Sequence, residues 1–272
     1  MNAQKAVLGV DAAWTVNNPS GVALVNFVGG KWECVALAPS YAQFLAFSKG
    51  IEIDWDETPS GGEAPAEELI NGCQILLGGQ EVTVVAVDMP ISRAAITKRR
   101  AADNAISKEF GAKKCSTHSP SPNRPGPVSR NFSEGFVALG YNLTTTTDQH
   151  ISGKSLIEVY PHPALLELLG ENERLKYKTS KTSKYWKGES LDHRRSHLLE
   201  VWGKILEALN LEIGSIPDNI LKNAGDRGLN YLKRFEEALD ALVCAWVGIM
   251  FIQGKATPFG DEEAAIWVPR QL

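Results

Sequence analysis

The chain has 272 residues, of which 43% are hydrophobic and 22% are charged, and its formal net charge at pH 7 is −4. This length and apolar content suffice for a sizeable core, in one large domain or one domain with an insertion. The net charge excludes a polycation, and four scattered cysteines without a Cys-x-x-Cys pair argue against a structural zinc site or a disulfide framework.

Residues 1–5 lead directly into a strand-like segment and carry no signal-peptide pattern. The longest apolar run, residues 241–252, is too short to span a bilayer. We therefore expect a cytoplasmic protein with reduced thiols and no membrane partner.

Hydrophobic periodicity and turn residues predict alternating strands and helices. Strands are expected at 6–10, 22–28, 32–37, 81–87, 155–159 and 266–268. Helices are expected at 41–47, 66–77, 96–110, 131–139, 164–169, 191–209 and 231–252, with irregular chain at 51–65, 115–129 and 176–187. The order, a meander followed by single strands between helices, predicts a mixed sheet with helices on both faces.

Acidic side chains lie at the ends of three predicted strands and on the last helix. Asp11 and Asp88 each follow an apolar strand, and Glu158 lies within another. Because the carboxyl ends of parallel strands meet at one edge of a sheet, these acids are expected to converge. Asp240 lies where the last helix becomes apolar all round, with Glu236 one turn earlier. Taken singly, each strand-end acid is also consistent with a turn or a helix cap.

Several carboxylates in one partly buried site repel one another unless a cation neutralises them. Oxygen ligands favour Mg²⁺ or Mn²⁺, and two such ions support the in-line displacement of a phosphoryl group. The pattern therefore predicts a divalent-metal site with two ions. Glu236 and Glu237 are also consistent with ordinary solvated helix residues.

Two segments are basic although the whole chain is acidic. Residues 93–130 hold nine Lys and Arg against two acids, and residues 174–195 hold eight against two. If both segments flank the mouth of the acidic cleft, they would contact an anionic partner such as nucleic acid. The alternative is a pair of solvated surface loops.

Six motifs, spread in order over nearly the whole chain, resemble the family called predicted nuclease of the ribonuclease H fold (domain of unknown function 429). They are GVDAAW at 9–14, PSGVALV at 19–25, VAVDMPI at 85–91, EVYPHPAL at 158–165, ALDALVCAW at 238–246 and IWVP at 266–269. The resemblance implies one α/β domain over residues 1–272 with a ribonuclease H-like, mixed five-stranded sheet. Loop and helical insertions are then expected at about 50–65, 93–150 and 171–230.

The resemblance also implies roles for individual residues. The catalytic and metal-binding acids would be Asp11, Asp88, Glu158 and Asp240, and Glu236 is added as a fifth metal ligand. Three basic residues match positions that would bind substrate phosphates, although surface salt bridges explain them equally well: Arg100, Lys178 and Arg195.

Two further residues fall within these motifs. Asp103 lies where the family often has an acid after the Asp88 strand. His162 is interpreted as a structural histidine, with a proton shuttle as the alternative.

These features predict a nuclease that hydrolyses DNA or RNA with two Mg²⁺ or Mn²⁺ ions. One alternative is a non-enzymatic nucleic-acid-binding or scaffold protein on the same fold. A nucleotide-using ATPase or kinase is the other, but the turn from Asp11 to Thr15 has no glycine and the chain has no Walker-type phosphate loop.

Overall fold

A computed structural model describes residues 5–63, 65–148, 153–222, 224 and 227–270. The gaps include parts of the three expected insertions and the first four residues, on which the structure gives no information. The described strands are β1 Ala6–Asp11, β2 Gly21–Val28, β3 Lys31–Ala38, β4 Val84–Val87, β5 Asn142–Leu143, β6 Ser155–Val159, β7 Ile213–Gly214, β8 Ala256–Gly260 and β9 Ala265–Pro269. The described helices are α1 Tyr41–Ser48, α2 Ala66–Leu76, α3 Ala101–Phe110, α4 Pro127–Ala138, α5 Pro161–Leu169, α6 Thr182–Tyr185, α7 Leu191–Glu212, α8 Asn219–Lys222 and α9 Leu229–Ile252.

The strands form one mixed sheet in the order β7-β3-β2-β1-β4-β6-β9-β8, with β5 paired to β6. The first three strands are an antiparallel meander, and Gly29 and Gly30 make its second turn with positive φ angles of 60° and 86°. In contrast, β1, β4, β6 and β9 run parallel to one another. Their carboxyl ends therefore lie along one edge of the sheet.

The expected mixed α/β architecture is confirmed, but the expectation of five strands is wrong. The described part of the chain contributes nine strands to the sheet. Three of the nine strands do not correspond to any of the six predicted strand segments. Two of these, β5 and β7, have two residues each and so carry no period of their own. A third, β8, contains Pro258 and Gly260, which are typical of turns rather than strands.

Alternating side chains of the central strands enter two separate cores. Val7 and Ala86 face a core shared with α5, α7 and α9, whereas Leu8 and Val85 face the core under α1, α2 and α4. Both faces of β1 and β4 are therefore covered, which explains their nearly continuous apolar sequence. Each fully buried valine or leucine side chain here stabilises the fold by roughly 1.5–3 kcal/mol.

Helix α9 crosses β1 and β2 at unusually close range, and two glycines make this possible. A Cβ atom on Gly9 would lie 2.2 Å from the backbone oxygen of Ala241, and one on Gly21 would lie 2.0 Å from that of Glu237. Since Gly21 is the register partner of Asp11, this approach brings the acidic turn of α9 to the end of β1.

Helix boundaries differ from expectation where side chains cap or pair. The helix predicted from residue 96 begins at Ala101, because the carboxylate of Asp103 accepts a hydrogen bond from the backbone N–H of Arg100 at 3.0 Å. Proline in the first turn allows α4 and α5 to begin earlier than predicted. The predicted loop at 176–187 contains a 3-10 turn, Thr179–Lys181, and α6.

None of the helices in the described ranges combines the length and apolarity needed to cross a bilayer.

Candidate functional site

A cleft of about 630 Å³ opens where β1 and β4 end. Asp11 is the last residue of β1, and Asp88 follows β4 directly. The backbone N–H of Asp88 donates to the carbonyl of Val10 at 2.8 Å, so parallel pairing holds the two acids side by side. Both side chains line the cleft.

Helix α9 adds three carboxylates to these two. Glu237 lines the cleft, whereas Glu236 and Asp240 are 1% and 0% exposed behind it. We call Asp11, Asp88, Glu236, Glu237 and Asp240 the acid cluster. Its α9 members lie there because Gly9 and Gly21 admit the helix backbone.

Two lysines face the acid cluster. The Lys178 ammonium group binds the Asp240 carboxylate and lies 3.7 Å from Glu236 Oε1. Lys233 lies 2.5 Å from Glu236 and 2.6 Å from Glu237. The structure therefore places Lys178, predicted to bind substrate, at the bottom of the cleft and in contact with the acids.

Neutral donors hold the two innermost acids. The Tyr177 hydroxyl donates to Asp240 Oδ1 at 2.8 Å, and the backbone N–H of Thr179 donates to Glu236 Oε2 at 2.5 Å. These contacts order the chain around the 3-10 turn that follows Lys178.

The acid cluster has too little positive charge for its carboxyl groups. Burial raises the pKa of Asp11 well above its usual value, and the nearby charges of Glu237 and Asp240 raise it further. Burial likewise raises the pKa of Asp88 to about 8, although Lys178 acts against this shift. The pKa of Asp240 is also raised by burial, against the effect of Lys178.

Glu236 differs from these three acids. Burial raises its pKa, but Lys178 and Lys233 outweigh burial, so the net shift is downward. Glu236 is therefore the member of the cluster whose charge the two lysines balance.

Glu158 lies beside Asp88 on the neighbouring strand, but its carboxylate is bound elsewhere. Arg100 Nη1 donates to its Oε2 at 2.6 Å and Nη2 to its Oε1 at 2.7 Å, and the Ile91 N–H donates to Oε2 at 3.0 Å. The remaining Arg100 donors bind Asp103 and the Ile91 carbonyl. We name Glu158, Arg100 and Asp103 the arginine network.

This pairing revises two expectations. Arg100 is 8% exposed and has no unused N–H group, so its contacts favour a structural role over phosphate binding. The Glu158 carboxylate is tied to the same guanidinium and does not face the open cleft as a free ligand. The metal and catalytic roles expected for Glu158 remain predictions that these contacts do not favour.

A second cavity of about 370 Å³ adjoins the cleft, and Asp88, Lys178 and Lys233 line both. We call it the basic pocket because seven of its lining residues carry basic side chains: His118, Arg124, His162, Arg174, Lys178, Lys181 and Lys233. Trp14 forms a wall of both cavities, and the Arg124 guanidinium lies 5.8 Å from its ring.

The two basic segments therefore meet at the cleft only in part. The first contributes Arg124, while Arg93 and Arg130 line a different groove. Arg195, predicted to bind substrate, pairs with Asp192 at 3.3 Å on α7 and is not among the described residues lining either cavity. Its substrate-binding role is not favoured by this position.

Sequence reasoning missed several of the residues that face the cleft. Glu237 received little weight, although Lys233 three and four residues before Glu236 and Glu237 was an available signal. Arg124 and His118 come from an irregular, proline-rich segment, where no periodicity indicates which side chains point inward.

In the described ranges, no three His, Cys, Asp or Glu side chains are positioned to hold a metal ion together. Lys178 is one reason for this, because its ammonium group already binds the two innermost acids, Glu236 and Asp240. The chemistry of the donor set nevertheless fits a hard cation: it consists of carboxylate oxygens, and Asp11, Asp88 and Glu237 line the open cleft.

A family model matches residues 9–265, and its description is "protein of unknown function (DUF429)". No curated protein and no solved structure gives a significant match.

Proposed function

The chain belongs to the DUF429 family, and we propose that it is a metal-dependent phosphodiesterase that hydrolyses DNA or RNA. One observation carries the proposal: acids with raised pKa values line a cleft that is continuous with a basic pocket. Such a pairing suits a substrate that brings negative charge beside a bound cation.

Asp11, Asp88 and Asp240, with Glu237 and Glu236 beside them, would hold Mg²⁺ or Mn²⁺. When bound, two such ions make water a better nucleophile at neutral pH and neutralise charge on the leaving oxygen. Glu158 is left out of this set because Arg100 holds its carboxylate.

The chain's own residues bind and orient the substrate. Lys178 and Lys233 line the cleft and would bind the non-bridging oxygens of the phosphate. Trp14 offers a ring face on which a base would stack, and Arg124 beside it would contact the neighbouring phosphate. Asp88 holds a proton at neutral pH before a cation binds, since burial raises its pKa to about 8.

A second function, nucleic-acid binding or scaffolding without catalysis, is favoured by a different observation. Lys178 already supplies counter-charge to Asp240, and no metal-ready trio of side chains is found among the described residues. A protein whose lysine permanently replaces the cation would bind nucleic acid and leave it intact.

Mn²⁺ binding and cleavage separate these two functions. Mn²⁺ would be titrated into the metal-free protein and followed by electron paramagnetic resonance, beside a cleavage assay on single- and double-stranded DNA and RNA. Asp11→Asn keeps the side-chain shape but removes a charge, so we expect it to lower cleavage by at least about 100-fold, as for loss of one preorganised group. The matched control is Asp192→Asn, which removes a 77% exposed carboxylate on α7.

The proposal requires wild-type protein to bind Mn²⁺, Asp11→Asn to bind it more weakly, and Asp192→Asn to behave as wild type. A wild type that binds no divalent cation and cleaves none of the four substrates, but retains nucleic-acid binding, would establish the second function.

A further inference from the structure

We propose that the basic pocket binds a terminal phosphate group of the nucleic acid. This inference rests on the proposed function, since it names the part of the substrate that lies next to the acid cluster. It is carried by two buried nitrogen atoms that have no hydrogen-bond partner, His162 Nδ1 and Arg174 Nε.

The proton on His162 can be placed by the contact with Arg174. Arg174 Nη2 lies at hydrogen-bond distance from His162 Nε2. A guanidinium group only donates, so Nε2 is the acceptor and a neutral ring carries its proton on Nδ1. Burial lowers the pKa of His162 well below its usual value, and Lys178 and Arg174 lower it further, so the ring is neutral.

The Nδ1–H of His162 and the Nε–H of Arg174 are therefore two buried donors, on side chains that contact each other, and neither has an acceptor. His162 is 5% exposed and lines the basic pocket, as does Arg174. Leaving buried donors unpaired is costly, and an oxyanion would accept from both.

The charge around the pocket favours a ligand with more than one negative charge. Its acids are already paired: Asp103 and Glu158 with Arg100, and Glu236 with Lys178 and Lys233. Asp88 lies at the boundary with the acid cluster and lines both cavities. The positive charges of Arg174, Lys181 and Arg124 therefore remain for a ligand, and a terminal phosphate brings up to two negative charges.

The buried donors favour the end of a chain rather than its middle. The unpartnered atoms of His162 and Arg174 are shielded from solvent, so a phosphate that binds them gives up contacts with water. A terminal phosphate has three non-bridging oxygens to accept from such donors, whereas an internal phosphate has two and carries less charge. Because Lys178 lines both cavities, a phosphate held here puts the neighbouring phosphodiester at the acid cluster.

Phosphate binding is tested on the whole chain in the absence of metal. The probe is inorganic phosphate, added at constant ionic strength, with binding measured by calorimetry and by the melting temperature. We expect wild type to bind phosphate and Arg174→Gln to raise the Kd by at least about tenfold, the effect of losing one charged hydrogen-bonding group. The control is Arg195→Gln, which removes the same charge from outside the pocket and should leave the Kd unchanged.

The source of the phosphate is tested with three forms of one oligonucleotide, carrying a 5′-phosphate, a 3′-phosphate or neither, bound in the presence of EDTA. We expect one phosphorylated form to bind at least about tenfold more tightly than the unphosphorylated form, a preference that Arg174→Gln removes. If Arg174→Gln does not fold, Arg174→Lys is used in its place, since it keeps the charge but has no Nε–H. We expect Arg174→Lys to lose most of the preference for the phosphorylated form.

Equal binding of all three oligonucleotides, or phosphate binding that survives both Arg174 variants, would overturn the inference. Both measurements exclude metal and cleavage. A protein that binds phosphate in this pocket but neither binds Mn²⁺ nor cleaves nucleic acid would therefore contradict the proposed function and leave the phosphate site standing.

Discussion

The arginine network and the acid cluster lie side by side, yet they balance their charges differently. In the arginine network all five N–H groups of one guanidinium bind Asp103, Glu158 and a backbone carbonyl. In the acid cluster five carboxyl groups share two ammonium groups, and three of the five have raised pKa values.

The difference separates a structural network from one suited to a ligand. Matched donors and acceptors leave Arg100 with nothing to offer a substrate, and they tie the turn after β4 to β6. An excess of buried carboxyl groups, in contrast, is relieved by protons or by a cation from solution. Removing the basic side chain from each region, Arg100 from the arginine network or Lys178 from the acid cluster, should therefore have different consequences.

The largest effect is expected for Arg100→Met in the arginine network. The substitution leaves two buried carboxylates without a cationic partner, and we expect it to lower the free energy of unfolding by about 3–5 kcal/mol. Urea denaturation measures the loss. Mg²⁺ should not restore it. Arg270→Met, which breaks the exposed pair of Arg270 with Glu109, should cost less than about 1 kcal/mol.

A smaller and reversible effect is expected for Lys178→Met in the acid cluster. In EDTA we expect a loss of about 1–3 kcal/mol, because buried Asp240 loses the ammonium group that binds it, while Glu236 keeps only Lys233. Mg²⁺ should restore most of that loss by binding the native state. Thermal melts of wild type and variant, each with EDTA and with Mg²⁺, provide the measurement. If Mg²⁺ leaves the variant as unstable as EDTA does, the acid cluster is not a cation site.

The smallest effect is a pH dependence at Asp88. The unfolded aspartate ionises near pH ~4, whereas the folded one keeps its proton to about pH 8 because burial raises its pKa. Between these values the native state binds the extra proton, so this group's contribution to stability falls as pH rises and levels off above pH 8. Asp88→Asn lacks this contribution.

We therefore expect Asp88→Asn to gain at least about 1 kcal/mol over wild type between pH 5 and pH 8 in EDTA. Urea denaturation at several pH values measures the gain, with Asp192→Asn as the control for loss of an exposed carboxyl. A constant difference between Asp88→Asn and wild type across this range would show that Asp88 ionises normally and would weaken the contrast between the two regions.

Local sequence pattern was enough to predict the strands that carry Asp11 and Asp88. Their apolar runs have the continuity of strands covered on both faces, and an acid stands at the end of each. The apolar stripe of α9 likewise indicated that Asp240 enters the interior. These features depend on neighbours in the chain and on the regular geometry of a strand or a helix, so they can be read before folding.

The partners of the charged side chains could not be read in this way. Arg100 meets Glu158 across 58 residues and Lys178 meets Asp240 across 62, and no local period links such distant positions. Which acids stay unpaired depends on the close passage of α9 over Gly9 and on the path of the irregular segments around Arg124 and Arg174. A lysine or arginine has the same chemistry in a core, in a cleft or on the surface. Packing of distant segments sets its partner, because charge interactions act between side chains that folding brings within a few ångströms.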